Sequence, residues 1–156
     1  MKIQLFIFVL IFISIACEYY SLLGIDLEIN GKSFPIKNDE EYVKTVMYKN
    51  HFIRGSIPKK YLDLIKQNLI ENKYKCKKRL FYSGGLYETF YCPKKNSDYS
   101  SIKLNFKLNT TSVSLTEKEL FETKGDDYHI NFKTDSKMNI LIIPTKLLNR
   151  NDTNTN

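Results

Sequence analysis

Histidine and cysteine are scarce in this chain, and that scarcity limits the chemistry open to it. There are two histidines, His51 and His129, far apart in sequence, and three cysteines, Cys17, Cys76 and Cys92. A structural zinc site takes about four nitrogen or sulfur ligands at regular spacings. The chain has no such set, so neither a metal nor a cofactor is expected. No Gly-x-Ser-x-Gly turn and no Cys–His pattern offers an activated nucleophile, and each histidine reads as a surface or strand residue rather than a base. Internal repeats are absent. Long hydrophobic runs are missing too: the nearly unbroken apolar stretch Ile3–Ile15 has 13 residues, against about 20 for a membrane-spanning helix.

What that short run does supply is an export signal. Lys2 precedes it, and Ser14 and Ala16 provide small residues at −3 and −1. Cleavage is expected near Ala16 or Cys17, making residues 1–17 a signal peptide and placing the mature chain outside the cell or in the secretory lumen. Lipid attachment through Cys17 is the other reading. Loss of Cys17 leaves Cys76 and Cys92 as a pair, and in an oxidising compartment one disulfide is the default. Closing a loop of about 15 residues stabilises a fold by about 3 kcal/mol in the chain-entropy model.

The segment Tyr74–Pro93 supports the same bridge independently. Two aromatic-rich runs flank Ser83-Gly84-Gly85, and glycine tolerates the positive φ of tight hairpin loops. If those three residues form the loop, Tyr82 faces Leu86, and counting outward sets Cys76 opposite Cys92. Cross-strand partners lie within disulfide reach.

An apolar fraction of 42% suffices for a packed core and argues against disorder. The net charge of +7 is richest at Lys73, Lys75, Lys77, Lys78 and Arg79. One reading is an anionic partner, a glycan or a lipid surface; nucleic acid is disfavoured by export. The other is a strand edge whose lysines discourage pairing.

Most of the chain reads as short strands. Ile25, Leu27 and Ile29 alternate with Asp26 and Glu28 before Asn30-Gly31, a strong hairpin signal. Val43 to Ile53 is strand-like. A helix is expected over about 57–71, opened by Pro58 with Ser56 or a neighbour as cap, its apolar stripe formed by Tyr61, Leu62, Ile65 and Leu69. Ile102, Leu104, Phe106 and Leu108 make the cleanest alternation. Asn109-Thr110-Thr111 is a turn and an N-glycosylation acceptor, and Asn151-Asp152-Thr153 is a second. Val113 and Leu115 continue as strand. Thr116 to Glu119 form a capping box for a helical turn over about 117–121. Tyr128–Lys133 reads as one more strand and Met138–Ile143 as a buried strand stopped by Pro144, leaving 145–156 as a disordered polar tail. The fold class expected is therefore mainly β with antiparallel sheets, one helix and one helical turn, in a single domain over 18–144.

This order of elements resembles the carboxy-terminal lobe of pepsin-like aspartic proteases, the peptidase A1 family. The likeness rests on the strand pair Tyr19–Ile36 with its Gly31-Lys32 turn, on Ser56-Ile57-Pro58 opening a helix, and on Cys92, Ile102–Phe106 and Leu115–Phe121 further on. Lys137–Leu141 stands where the family has an apolar strand. The resemblance implies an acid endopeptidase, in which two aspartates share a proton across a water, each carried on an Asp-Thr/Ser-Gly loop. Here the matching loop is Ile53-Arg54-Gly55-Ser56: isoleucine stands for the aspartate and arginine for the hydroxyl residue, and no Asp lies between Asp39 and Asp63. The expectation is thus a degenerate, inactive lobe with no catalytic residue. Its exposed strand edges imply a second lobe or a second copy as partner. The alternative is a cationic exported β-domain that binds anionic glycans or lipid surfaces.

Overall fold

The computed structural model describes residues 18–36, 44–48, 54–94, 101–137 and 140–144. The signal segment 1–17, Ile53, His51 and the tail with Asn151 lie outside them. The described chain is mainly β, with antiparallel pairs dominating.

The architecture starts from a long first strand. β1 (Glu18–Ile29) turns through Asn30 and Gly31 into β2 (Lys32–Ile36), both turn residues having positive φ, 52° and 73°, as a two-residue hairpin of this twist demands. Leu22, Ile25, Leu27 and Ile29 are buried on its inner face. The first part of β1 pairs with β3 (Lys44–Tyr48) and its later part with both β2 and a strand further along, so one strand joins two pairings.

Next come β4 (Gly55–Ser56), α1 (Lys59–Glu71), β5 (Lys77–Tyr82) and β6 (Leu86–Pro93). β7 (Ile102–Leu108) and β8 (Ser112–Thr116) then lead into α2 (Glu117–Leu120). The chain ends with β9 (Phe121–Lys124), β10 (Asp127–Ile130), β11 (Phe132–Lys133) and β12 (Ile140–Pro144). An eight-stranded sheet runs β11-β4-β12-β3-β1-β7-β8, with β2 against β1, and a four-stranded sheet runs β5-β6-β10-β9.

Alternation decides the packing of the larger sheet. Ile102, Leu104, Phe106 and Leu108 are all buried while Lys103 and Lys107 are exposed, the pattern of a strand with one wet face. The Phe106 ring meets Phe132 at 5.9 Å. α1 buries Tyr61, Leu62, Ile65 and Leu69, its whole expected stripe. At α2 the Thr116 backbone N–H donates to Glu119 Oε2 at 2.9 Å, and the Thr116 hydroxyl donates to the same carboxylate.

Three expectations change. The helix begins at Lys59 rather than 57, its N-cap is Pro58, and no side chain caps it. Ser56 cannot serve, because it is buried in β4, where the flanking Gly55 and Ile57 N–H groups donate to Asn131 and Lys133 carbonyls at 2.8 and 3.0 Å. Tyr128–Lys133 is not one strand: the chain bends at Asn131 and passes from the smaller sheet to the larger. The Asn131 side-chain amide donates to the Glu119 carbonyl at 2.9 Å and its N–H to the Leu120 carbonyl at 2.8 Å, which holds the crossing. Of the last apolar run, Met138 and Asn139 lie outside the described residues; Ile140–Pro144 is strand, and it is not wholly buried but alternates: Leu141 and Ile143 are buried, Ile140 is 40% exposed. It runs parallel to β3, as β11 does to β4.

Candidate functional site

Of the segment Ile53-Arg54-Gly55-Ser56, the last three residues are described, and each has close neighbours in the two sheets. A Cβ built on Gly55 would lie 2.5 Å from the Ile142 carbonyl oxygen and 2.7 Å from the Phe132 ring. Glycine is therefore required here by close backbone approach. Arg54 turns toward the smaller sheet. Its guanidinium sits 5.5 Å from the Phe81 ring centroid and 3.6 Å from Glu122, so cation–π attraction and an ion pair hold it in one place. Glu122 brings a carboxylate close to this loop, but Lys124 also approaches it, at 3.2 Å. Proton sharing needs two carboxylates about one water; Glu122 has two cations instead.

The same sheet face carries several aromatic and cationic side chains in contact. Strand register places Arg79 opposite Thr89, Lys77 opposite Tyr91, Tyr91 opposite His129, and His129 opposite Glu122. His129 is buried and stacks on Tyr91 with centroids 5.4 Å apart. Arg79 Nη1 lies 3.4 Å from His129 Nδ1. A guanidinium only donates, so Nδ1 accepts and the ring proton belongs on Nε2. Burial, then the Arg79 and Arg54 charges, push the His129 imidazole below its ordinary value. Lys133 covers the Tyr87 ring at 3.8 Å.

The opposite face has one ion cluster. Glu88, whose side chain is 11% exposed, receives Lys78 at 2.6 Å and Lys59 at 3.2 Å. Burial alone would raise its carboxyl, yet the hydrogen bonds from Lys78 and Lys59 outweigh that and hold it below the usual range. Thr89 on the next position donates to the Phe132 carbonyl at 2.9 Å, tying the two sheets together.

The five cations singled out in the sequence do not form one patch. Lys77 and Arg79 point to the His129 face and Lys78 to the Glu88 face, since strand side chains alternate. Lys75 is exposed ahead of the strand, and Lys73 sits in the turn after α1 with φ 73°. The bridge Cys76–Cys92 is present, with Cα atoms 4.1 Å apart, and Tyr82 faces Leu86 as the three-residue loop requires. Asn109 is exposed, its Oδ1 accepting from the Ser21 N–H at 3.4 Å. Among the described residues no group of three or more His, Cys, Asp or Glu is placed to hold a metal ion, and no helix is long and apolar enough to cross a membrane.

Sequence reasoning missed Arg54 on Phe81 and Glu122, and His129 between Tyr91 and Arg79. The only signal for the second was the alternation in Lys77, Arg79 and Phe81, which assigns those three to one face. No protein-family model matches the chain, and no curated protein matches it.

Proposed function

We propose that this chain is an exported domain with the organisation of one pepsin-like lobe, and that it works as a binding module without proteolytic activity. The observation carrying the second half is the fate of Arg54. Where a working loop presents a hydroxyl beside a carboxylate, this one presents a guanidinium committed to Phe81 and Glu122. Gly55 and Ser56 are buried in the sheet beside it. Support for the lobe organisation comes from the order of elements: the Asn30-Gly31 strand pair, the helix after Pro58, the alternating strand Ile102–Leu108, and the capped turn after Thr116. The disulfide agrees with an oxidising compartment.

In a two-lobed arrangement each half shares a sheet with the other, so a lone lobe offers unpaired strand edges to a second lobe or a second copy. Purified chain incubated with denatured protein at about pH 3–5, where proton-sharing aspartates work, is expected to show no pepstatin-sensitive cleavage. Such cleavage would overturn the non-proteolytic reading. Light scattering that finds only monomer at high concentration would count against a sheet-edge partner.

A further inference from the structure

Three of the four most exposed large apolar side chains among the described residues sit at one end of one hairpin. Leu80 is 54% exposed, Tyr82 80% and Leu86 62%. Alternation puts Leu80 and Tyr82 on one face of β5, and Tyr82 lies directly opposite Leu86 on β6. The loop between them, Ser83-Gly84-Gly85, has no large side chain to shield the tip. Behind the tip the charge is one-sided. From Tyr74 to Lys94 there are five cations, Lys75, Lys77, Lys78, Arg79 and Lys94, against one acid, Glu88. Glu88 is itself paired with Lys59 and Lys78.

We propose that the β5–β6 hairpin docks the domain on an anionic lipid bilayer. The hairpin enters tip first: Leu80, Tyr82 and Leu86, on the face that also carries Glu88, reach the boundary between headgroups and acyl chains, while Lys77 and Arg79, on the other face and three to five residues back from Tyr82, lie at the level of headgroup phosphates and carboxylates. A small apolar tip holds a membrane weakly by itself, and so does a small cationic patch; reversible attachment needs both signals together. Tyr82 suits the boundary, having an apolar ring and a polar end. A sulfated glycan would use the cations but gain little from the two leucines. A second copy of the chain is also a poorer occupant. Three side chains fall short of the roughly 1,200 Å² that a stable dimer buries, and lysines along β5, an edge strand, oppose strand addition. This inference goes beyond the non-proteolytic reading and fails or stands separately from it.

The chain contains no tryptophan, so Tyr82→Trp creates a single reporter at the tip. Its emission should move to shorter wavelength, and be quenched by brominated acyl chains, with vesicles containing phosphatidylserine and not with phosphatidylcholine alone. High salt should reverse the shift. Leu80→Ser with Leu86→Ser in the same background should weaken apparent vesicle affinity about tenfold or more, and Lys77→Gln with Arg79→Gln should weaken it several-fold. All these side chains are exposed, and thermal melting of each variant checks that the fold is kept. No shift on anionic vesicles, or an unchanged affinity after the two serine substitutions, would overturn the proposal. A shift with heparin but not vesicles would reassign the hairpin to glycans. A vesicle-independent shift that grows with protein concentration, alongside dimers in light scattering, would reassign it to self-association.

Discussion

The two sheets of this molecule are built on different principles. In the eight-stranded sheet, stability comes from alternation: Ile25, Leu27, Ile29, Ile102, Leu104, Phe106, Val113 and Leu115 are all buried, and polar residues occupy the positions between them along each strand. In the four-stranded sheet, β5 buries nothing, and its six residues are exposed or half-buried. β6, β9 and β10 do bury Phe90, Cys92, Phe121 and Ile130, so the contrast lies at the β5–β6 hairpin, which is linked by a disulfide, the Glu88 ion cluster, and cations over Phe81 and Tyr87. A region stabilised by area tolerates little change, while one stabilised by discrete links can lose a link and keep its neighbours.

The sharpest way to break the comparison is to empty the larger core. Phe106→Ala removes a fully buried ring packed on Phe132 and should cost about 3–5 kcal/mol, seen as global loss of stability in urea. The second effect should be smaller and local. Cys76→Ser with Cys92→Ser is expected to cost about 3 kcal/mol in the chain-entropy model, with hydrogen exchange rising first in the β5–β6 hairpin. Equal acceleration across β1 and β7 would show that the two sheets do not differ as described.

How much of this was open to sequence reading follows the same division. The Asn30-Gly31 turn, the strand Ile102–Leu108, the stripe on α1 and the Cys76–Cys92 bridge rest on neighbours within one hairpin or one helix, where period and loop length suffice. Gly55-Ser56 reads from sequence as the lead-in to a helix, because a two-residue strand has no period. Its partners, Phe132 and Ile142, come from much later in the chain. The crossing at Asn131 and the parallel pairing of β12 with β3 are likewise long-range contacts that alternation cannot reveal. For the candidate site, the residues of Ile53-Arg54-Gly55-Ser56 can be singled out from the sequence, but the direction of Arg54 cannot. It depends on Phe81 and Glu122, which sit on other strands.

Glu88 sharpens the contrast through charge. Its two lysine partners are roughly half exposed, 45% for Lys59 and 47% for Lys78, so screening reduces what the pairs contribute. Glu88→Gln should cost about 1 kcal/mol near neutral pH. The folded carboxyl titrates below its ordinary value of 4.5, so the unfolded chain takes up the proton first. The stabilisation is therefore full above about 4.5 and lost as pH falls through the folded value. Urea midpoints of parent and variant should converge in acid. A gap that stays constant with pH would mean that Glu88 acts through packing rather than charge.

The smallest expected effect belongs to His129, and its sign follows from the same linkage. Burial comes first, and the charges of Arg79, Arg54 and Lys124 oppose protonation while Asp127 favours it, with a net lowering from 6.5. Between that lowered value and 6.5 the unfolded chain binds a proton that the fold resists, so stability declines as pH drops through this window. His129→Gln should flatten that decline while leaving stability above about pH 7 little changed, since the neutral ring offers mainly its stack on Tyr91 and one acceptor to Arg79. If Arg79→Gln restores part of the ring's basicity in a titration followed by NMR, the guanidinium is acting on the imidazole through charge. If the titration curve does not move, burial alone sets it, and the cationic face is weaker than its geometry indicates.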